Sequence, residues 1–166
     1  GLTAHVLSVV GSINTVYTTF ISRPGGIELP FDGSTRHQFT VTGSSRVEAF
    51  TDSVKSVSRP TLTAPLAAAV VDSLDSLTVR WSDVPADSTV YVLAMLRSTV
   101  DTTSTALSEL RRDTGETSIP QEQLVRLPSG PARLSVARFR INARFVGARK
   151  AALVCEAVTL RSVTMQ

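Results

Sequence analysis

The amino-acid sequence predicts an all-β fold: an antiparallel β-sandwich with an extra N-terminal β unit and one or two short helices. Ser and Thr together supply 40 of the 166 residues, a composition typical of strands and turns. Short segments in which apolar and polar residues alternate follow one another along the chain. Gly, Pro and Asp separate these segments at short intervals, as they do in sandwiches and barrels. The hydrophobic fraction of 42% and the charged fraction of 19% are those of a globular protein.

The first 59 residues are predicted to form strands and hairpins that brace the rest of the chain. They carry few large apolar side chains, and a segment of this size is small for a core of its own. We therefore predict two parts, a β unit over residues 1–59 and a sandwich over residues 60–166. The expected strands of the first part are Thr3–Val10, Ile13–Ile21, an edge strand at Ile27–Phe31, His37–Val41 and Val47–Phe50.

The second part combines strands with two predicted helices. Ser104–Arg112 has a capping Ser104, apolar residues at helical spacing and Gly115 as a stop signal. A second short helix is expected to open at Ser118-Ile119-Pro120-Gln121, with the proline in its first turn. The predicted strands are Val70-Val71, Leu77–Trp81, Val90–Leu96, Leu134–Val146 and Ala151–Met165.

Several motifs of this second part resemble a known family. Pro60-Thr61-Leu62, Leu77-Thr78-Val79-Arg80-Trp81 and Leu134-Ser135-Val136 resemble the first, second and sixth strands of a fibronectin type III domain, an immunoglobulin-like sandwich. The stretch from Ile119-Pro120 to Gly130 resembles sandwich domains of bacterial lipoproteins and secreted proteins. The resemblance implies that Trp81 packs in the core and that the protein is bacterial and extracytoplasmic: periplasmic, outer-membrane anchored or secreted. It implies no activity, because such sandwiches host many functions.

Residues for catalysis or metal binding are sparse. The chain has two histidines, His5 and His37, and one cysteine, Cys155, which we predict to be a small buried apolar residue. No nucleophile elbow, phosphate-binding glycine loop or zinc-protease motif is present, so no enzyme, cofactor or metal is predicted. Four aspartates flank the tryptophan strand, and turn capping explains them more simply than calcium does. They are Asp72, Asp75, Asp83 and Asp87.

The sharpest sequence feature is an alternation of arginine and apolar residues near the C-terminus. At period two, one face of a strand receives the arginines and the other receives Phe139, Ile141 and Phe145. Residues 121–166 hold eight bases and two acids, a net charge of +6. Guanidinium groups suit phosphate, sulfate and carboxylate. The alternative is that the arginines pair with acids across the sheet. The candidate binding residues are Arg138, Arg140, Arg144, Arg149 and Lys150.

These observations predict a non-catalytic structural or protein-interaction module outside the cytoplasm, with a protein or a cell-envelope polymer as its partner. The alternative function is binding of an anionic polymer through the arginine face. Nucleic acid is disfavoured because no aromatic residue lies on that face. No membrane span is predicted, because the longest apolar run, Ala64–Val71, is far short of one. The sequence leaves open whether a longer precursor carries a lipid anchor.

Overall fold

The structure is a computed structural model that describes residues 3–9, 12–18, 31–43, 45 and 48–166. The chain divides into two compact units, Gly1–Pro30 and Phe31–Gln166. In the first unit, β1 (Thr3–Val9) pairs antiparallel with β2 (Ser12–Thr18). The predicted edge strand at Ile27–Phe31 lies outside the described residues except for Phe31. The predicted division between residues 59 and 60 stays a prediction.

The second unit is built almost entirely from strands, so the predicted all-β class is confirmed. Its single described helix, α1, covers Gln121–Leu124. The strands are β3 (Arg36–Val41), β4 (Phe50–Lys55), β5 (Thr61–Ala64), β6 (Val70–Val71), β7 (Leu77–Ser82), β8 (Val90–Ser98), β9 (Thr105–Leu107), β10 (Arg111–Arg112), β11 (Glu116–Ile119), β12 (Gly130–Val146) and β13 (Arg149–Met165).

The described strands of this unit form three sheets. One has the order β11-β7-β5, and a second has the order β10-β8-β12-β13-β6, with β9 also paired to β8. The third is the β3-β4 hairpin. All described pairings are antiparallel except that of β6 with β13, which is parallel.

Side chains from the first two sheets form one core. On β7 the buried and exposed residues alternate strictly, which places Val79 and Trp81 inside. From the larger sheet, Leu96, Leu134 and Val136 reach the same core without any exposed surface. Trp81 is only 4% exposed, so its predicted place in the core is confirmed.

A smaller second core lies between β4 and the distal part of β12 and β13. Val54 and Val57 pack there with Val90, Cys155 and Ala157. Cys155 is buried and makes no disulfide, as predicted. Burial disfavours the thiolate and raises the pKa of Cys155, as expected for a cysteine that packs as a small apolar side chain.

The predicted helix at Ser104–Arg112 is wrong, because this segment runs along the edge of β8 as β9 and β10. Ser108 explains the difference: its N–H donates to the carbonyl of Ala94 and its hydroxyl accepts the Ala94 N–H at 2.9 Å. Leu107 and Leu110 are exposed, so a helix here would have lacked an apolar contact surface. The second predicted helix exists as α1, but it begins at Gln121 because residues 116–119 pair with β7.

Candidate functional site: the two faces of the terminal hairpin

The longest described strands are β12 and β13, which form a hairpin. The two strands pair without interruption from Gly130 opposite Met165 to Val146 opposite Arg149. The two-residue turn between them begins with Gly147, whose φ of 58° fits the first position of a type II′ turn. A Cβ atom at Gly147 would lie 2.6 Å from Oε1 of Glu48, the free end of a flexible side chain that can move aside, so the positive φ is the main reason for glycine here.

The inward face of β12 changes its chemistry halfway along the strand. In the first half Ala132, Leu134 and Val136 point into the main core. In the second half the same face carries Arg138, Arg140, Asn142 and Arg144. The predicted alternation is therefore present, and its first two arginines are covered by protein. Arg138 has no exposed surface and Arg140 has only 7%.

Arg138 is held by a hydrogen-bond network that explains its burial. Its Nε donates to Oδ2 of Asp113 at 2.7 Å, and its Nη1 donates to the backbone and side-chain oxygens of Ser58. The other oxygen of Asp113 accepts the indole N–H of Trp81 at 2.8 Å and the backbone N–H of Gly115 at 3.2 Å. A charged pair with these partners is compensated inside the protein.

Arg140 lies one step further along and pairs with a loop aspartate. Its Nη2 donates to Oδ2 of Asp87 at 2.7 Å, close to the second core. The hydroxyl and backbone N–H of Thr89 also donate to Asp87, and these bonds lower the pKa of its carboxyl. Three guanidinium nitrogens have no partner among the described residues: Nη2 of Arg138 and Nε and Nη1 of Arg140.

The remaining polar residues of the arginine face meet β4 or solvent. Asn142 donates to Oδ1 of Asp52 at 3.0 Å, and Nε of Arg144 lies 3.7 Å from Oδ2 of the same aspartate. The Arg144 guanidinium also stands 5.7 Å from the centre of the Phe50 ring, a cation–π distance. Arg149 and Lys150 at the turn are exposed. The candidate arginines thus lie on the inward face, whereas Lys150 lies on the outward face opposite Phe145. Only the candidates near the turn, Arg144, Arg149 and Lys150, are open to a ligand.

The outward face of the same hairpin is apolar. Phe145 is 74% exposed, Leu160 58% and Val154 54%, and Ile141 and Val158 belong to the same surface. On the neighbouring β8, Tyr91, Leu93 and Met95 are half-buried and lie opposite residues of this face. We call this surface the outward face: Tyr91, Leu93, Met95, Ala137, Phe139, Ile141, Ala143, Phe145, Ala152, Val154, Val158 and Leu160.

One carboxylate lies within this apolar surface. Glu156 is flanked along β13 by Val154 and Val158 and lies opposite Phe139. Glu156 remains exposed, but the surrounding protein desolvates its carboxylate and raises the pKa of Glu156 above its ordinary value. A cation placed beside this carboxylate would favour its charged form.

Sequence reasoning missed the contribution of β13 to this surface. The signal was present: from Leu153 to Leu160 the strand carries apolar residues at both odd and even positions. A half-buried strand alternates, whereas a strand with two apolar faces is typical of one covered on both sides. The inward partners Asp87 and Asp113 were also missed, because they lie in loops far from β12 in sequence.

The other sequence candidates have structural roles. Asp72 accepts the N–H of Leu74 and Asp87 that of Thr89, so turn capping is confirmed at both. In the described ranges, no three His, Cys, Asp or Glu side chains come close enough to hold a metal ion. Nor does any helix in that part of the chain have the length and apolarity to cross a membrane.

The chain matches no protein-family model, no curated protein and no solved structure.

Proposed function

We propose that this chain is a non-catalytic β-sandwich of the immunoglobulin and fibronectin III type that binds another protein through the outward face. Its extracytoplasmic, bacterial setting is part of the proposal and rests on the resemblance of residues 60–166 to secreted and lipoprotein domains. The observation that carries the binding role is the outward face itself.

The order of the strands supports the proposed sandwich type. In immunoglobulin-like sandwiches, strands A, B and E share one sheet, and strands C, F and G share the other. Here β5, β7 and β11 share one sheet, and β8, β12 and β13 share the other, in the matching chain order. Trp81 closes the second strand of this series and packs between the two sheets.

The outward face supports a protein partner because of its size and composition. Monomeric soluble proteins rarely expose contiguous apolar patches larger than a few hundred Å². Here large apolar residues on β12 and β13 are joined by the half-buried residues of β8 across three neighbouring strands. Binding of another apolar surface would remove this surface from water and so lower the free energy.

The arginine face supports the polyanion alternative less well. Arg138 and Arg140 are neutralised by Asp113 and Asp87 and are covered by protein. An anionic polymer would reach only Arg144, Arg149 and Lys150 at the distal end. Polyanion binding would therefore depend on the turn, and the charge reversals Arg149→Glu and Lys150→Glu would remove it.

Site-specific photocrosslinking tests the protein-binding proposal. A benzophenone side chain at position 145 should capture one dominant partner in the source cell, while one at Thr78, exposed on β7, should not. The captured protein, once purified, should bind the wild-type chain and lose affinity at least roughly tenfold when Ile141 and Val154 are both changed to Ser. Equal capture at both positions, or unchanged affinity of the double variant, would contradict the proposal.

A further inference from the structure

In the part of the chain that the structure describes, the outer edge of β13 is a long stretch of unpaired backbone. Along Lys150–Leu160 the strand pairs with β12 on one side, and no described residue pairs with it on the other. The edge is occupied only further on, where β6 pairs with Thr164 and Met165. Exposed edges of this length present a row of donors and acceptors to another strand.

The backbone groups that point to this edge belong to the even-numbered residues. The two-residue turn makes Val146 and Arg149 a hydrogen-bonded pair, so the following groups alternate between β12 and the outer edge. Three bonds at the far end agree: the carbonyl of Ser162 accepts from Ala68, and the N–H groups of Thr164 and Gln166 donate outward. An incoming strand would therefore bond to Lys150, Ala152, Val154 and Glu156.

Two side chains on this edge carry uncompensated charge. Lys150 and Glu156 both project from the outward side of β13, and neither has an ion pair or hydrogen bond among the described residues. Glu156 is partly desolvated as well. An incoming strand that places an opposite charge against each of these side chains would form two favourable cross-strand pairs.

We propose that the incoming strand is β13 of a second copy of this chain, paired antiparallel about a two-fold axis at Leu153. This register pairs Lys150 of each copy with Glu156 of the other, and Ala152 with Val154. It also matches even residues to even residues, so the outward-pointing backbone groups meet and the side chains keep their faces.

The charges select this register over its neighbours. A two-fold axis at Val154 would place Glu156 opposite Ala152 and Lys150 opposite Val158. An axis at Cys155 would place Glu156 opposite Val154, and an axis at Glu156 would oppose two carboxylates. Only the axis at Leu153 satisfies both charges, and it does so twice because the interface is isologous.

This pairing goes beyond the proposed function and is independent of it. The ladder would run from Arg149 to Ala157 in each copy and leave the part of β13 bonded to β6 untouched. It would join the two larger sheets into one continuous sheet and place two outward faces side by side. Partner binding by a monomer would leave the proposed function intact and overturn only the pairing.

Charge reversal tests the pairing, with association measured by sedimentation equilibrium on the full chain at low salt. The wild type should form dimers, and Lys150→Glu and Glu156→Lys should each weaken dimerisation roughly tenfold or more, because like charges then oppose each other twice. An equimolar mixture of the two variants should dimerise again, since each opposing pair regains opposite signs. Arg126→Glu, an exposed reversal elsewhere, should have no effect.

A disulfide readout tests the register. In a Cys155→Ala background, Leu153→Cys should give an interchain disulfide, because a non-hydrogen-bonded pair brings the two Cα atoms to about 4.5 Å. Ala151→Cys in the same background lies on the same face but opposite position 155, so it should give none. A monomeric wild type, a mixture that fails to dimerise, or equal crosslinking at both positions would overturn the proposal. Circular dichroism melting confirms that each variant is folded.

Discussion

The two halves of β12 fold into the same ladder but face inward with opposite chemistry. Residues 130–136 direct a row of apolar side chains into the main core. Residues 138–144 direct a row of mostly cationic side chains to the same inward side. Both halves have the same period of two and the same partner strand. What differs is the layer beneath them: apolar side chains of the smaller sheet in one case, and the acids Asp113, Asp87 and Asp52 in the other.

The difference shows that an alternating pattern identifies two faces without saying which is inside. The uneven distribution of charge along the chain indicates that some arginines could pair with acids inside the protein. Residues 61–120 carry a net charge of −4 and residues 121–166 carry +6. Part of that imbalance cancels internally, because Asp87 and Asp113 of the acidic segment bind Arg140 and Arg138 of the basic one.

The strongest test of the comparison is to remove the deepest charge. Arg138→Met should lower the free energy of unfolding by about 3–5 kcal/mol, because it leaves Asp113 buried without its cation. Leu134→Ala, in the apolar half, should cost about 2–5 kcal/mol. Urea denaturation measures both. Arg133→Met, on the exposed side of the same strand, is the control and should stay within about 0.5 kcal/mol. A small effect at Arg138 would mean that its pairing is not what stabilises the cationic half.

A smaller effect is expected one step along the strand. Arg140→Met should cost about 1–2 kcal/mol, because Asp87 is partly exposed and two nitrogens of Arg140 have no described partner. Its Asp87→Asn counterpart should cost a similar amount in the same urea titration. A loss as large as that of Arg138→Met would show that the cationic half is uniform rather than graded.

The pH dependence of the unfolding free energy at low pH should also differ between the two halves of β12. The folded pKa of Asp87 lies below its ordinary value of 3.8, so its stabilising contribution is present above that pH and disappears as the pH falls through the folded pKa. The difference in unfolding free energy between wild type and Asp87→Asn should therefore shrink below about pH 4. Leu134→Ala has no titrating group, and its deficit should stay constant.

The smallest effect is predicted on the outward face. Phe145→Ser should change the unfolding free energy by no more than about 0.5 kcal/mol, because the ring is mostly exposed. Thermal melting checks this, with Leu134→Ala as the contrasting buried change. A large loss would show that the ring is covered and not available for binding.

Some parts of the fold could be predicted from the sequence and others could not. The long pair Leu134–Val146 and Ala151–Met165 was predicted because the alternation of its first strand and a Gly-containing turn are local signals. The interior place of Trp81 was implied by the resemblance to fibronectin type III domains. The helix at Ser104–Arg112 was wrong because Ala106, Leu107 and Leu110 fit helical spacing, while their actual arrangement depends on hydrogen bonds to β8. The acids that meet the arginines come from loops, and no local pattern indicates them.

Asp113 has a consequence for the order in which the chain folds. Asp113 accepts hydrogen bonds from Trp81 and Arg138, and Arg138 in turn donates to Ser58, 80 positions earlier in the sequence. The loop-closure entropy of such contacts is overcome only once the surrounding strands are in place. We therefore expect the network to form after the rate-limiting barrier. Changes at Arg138 should then speed unfolding and leave the refolding rate nearly unchanged. The buried pair would thus stabilise the native state by slowing its unfolding.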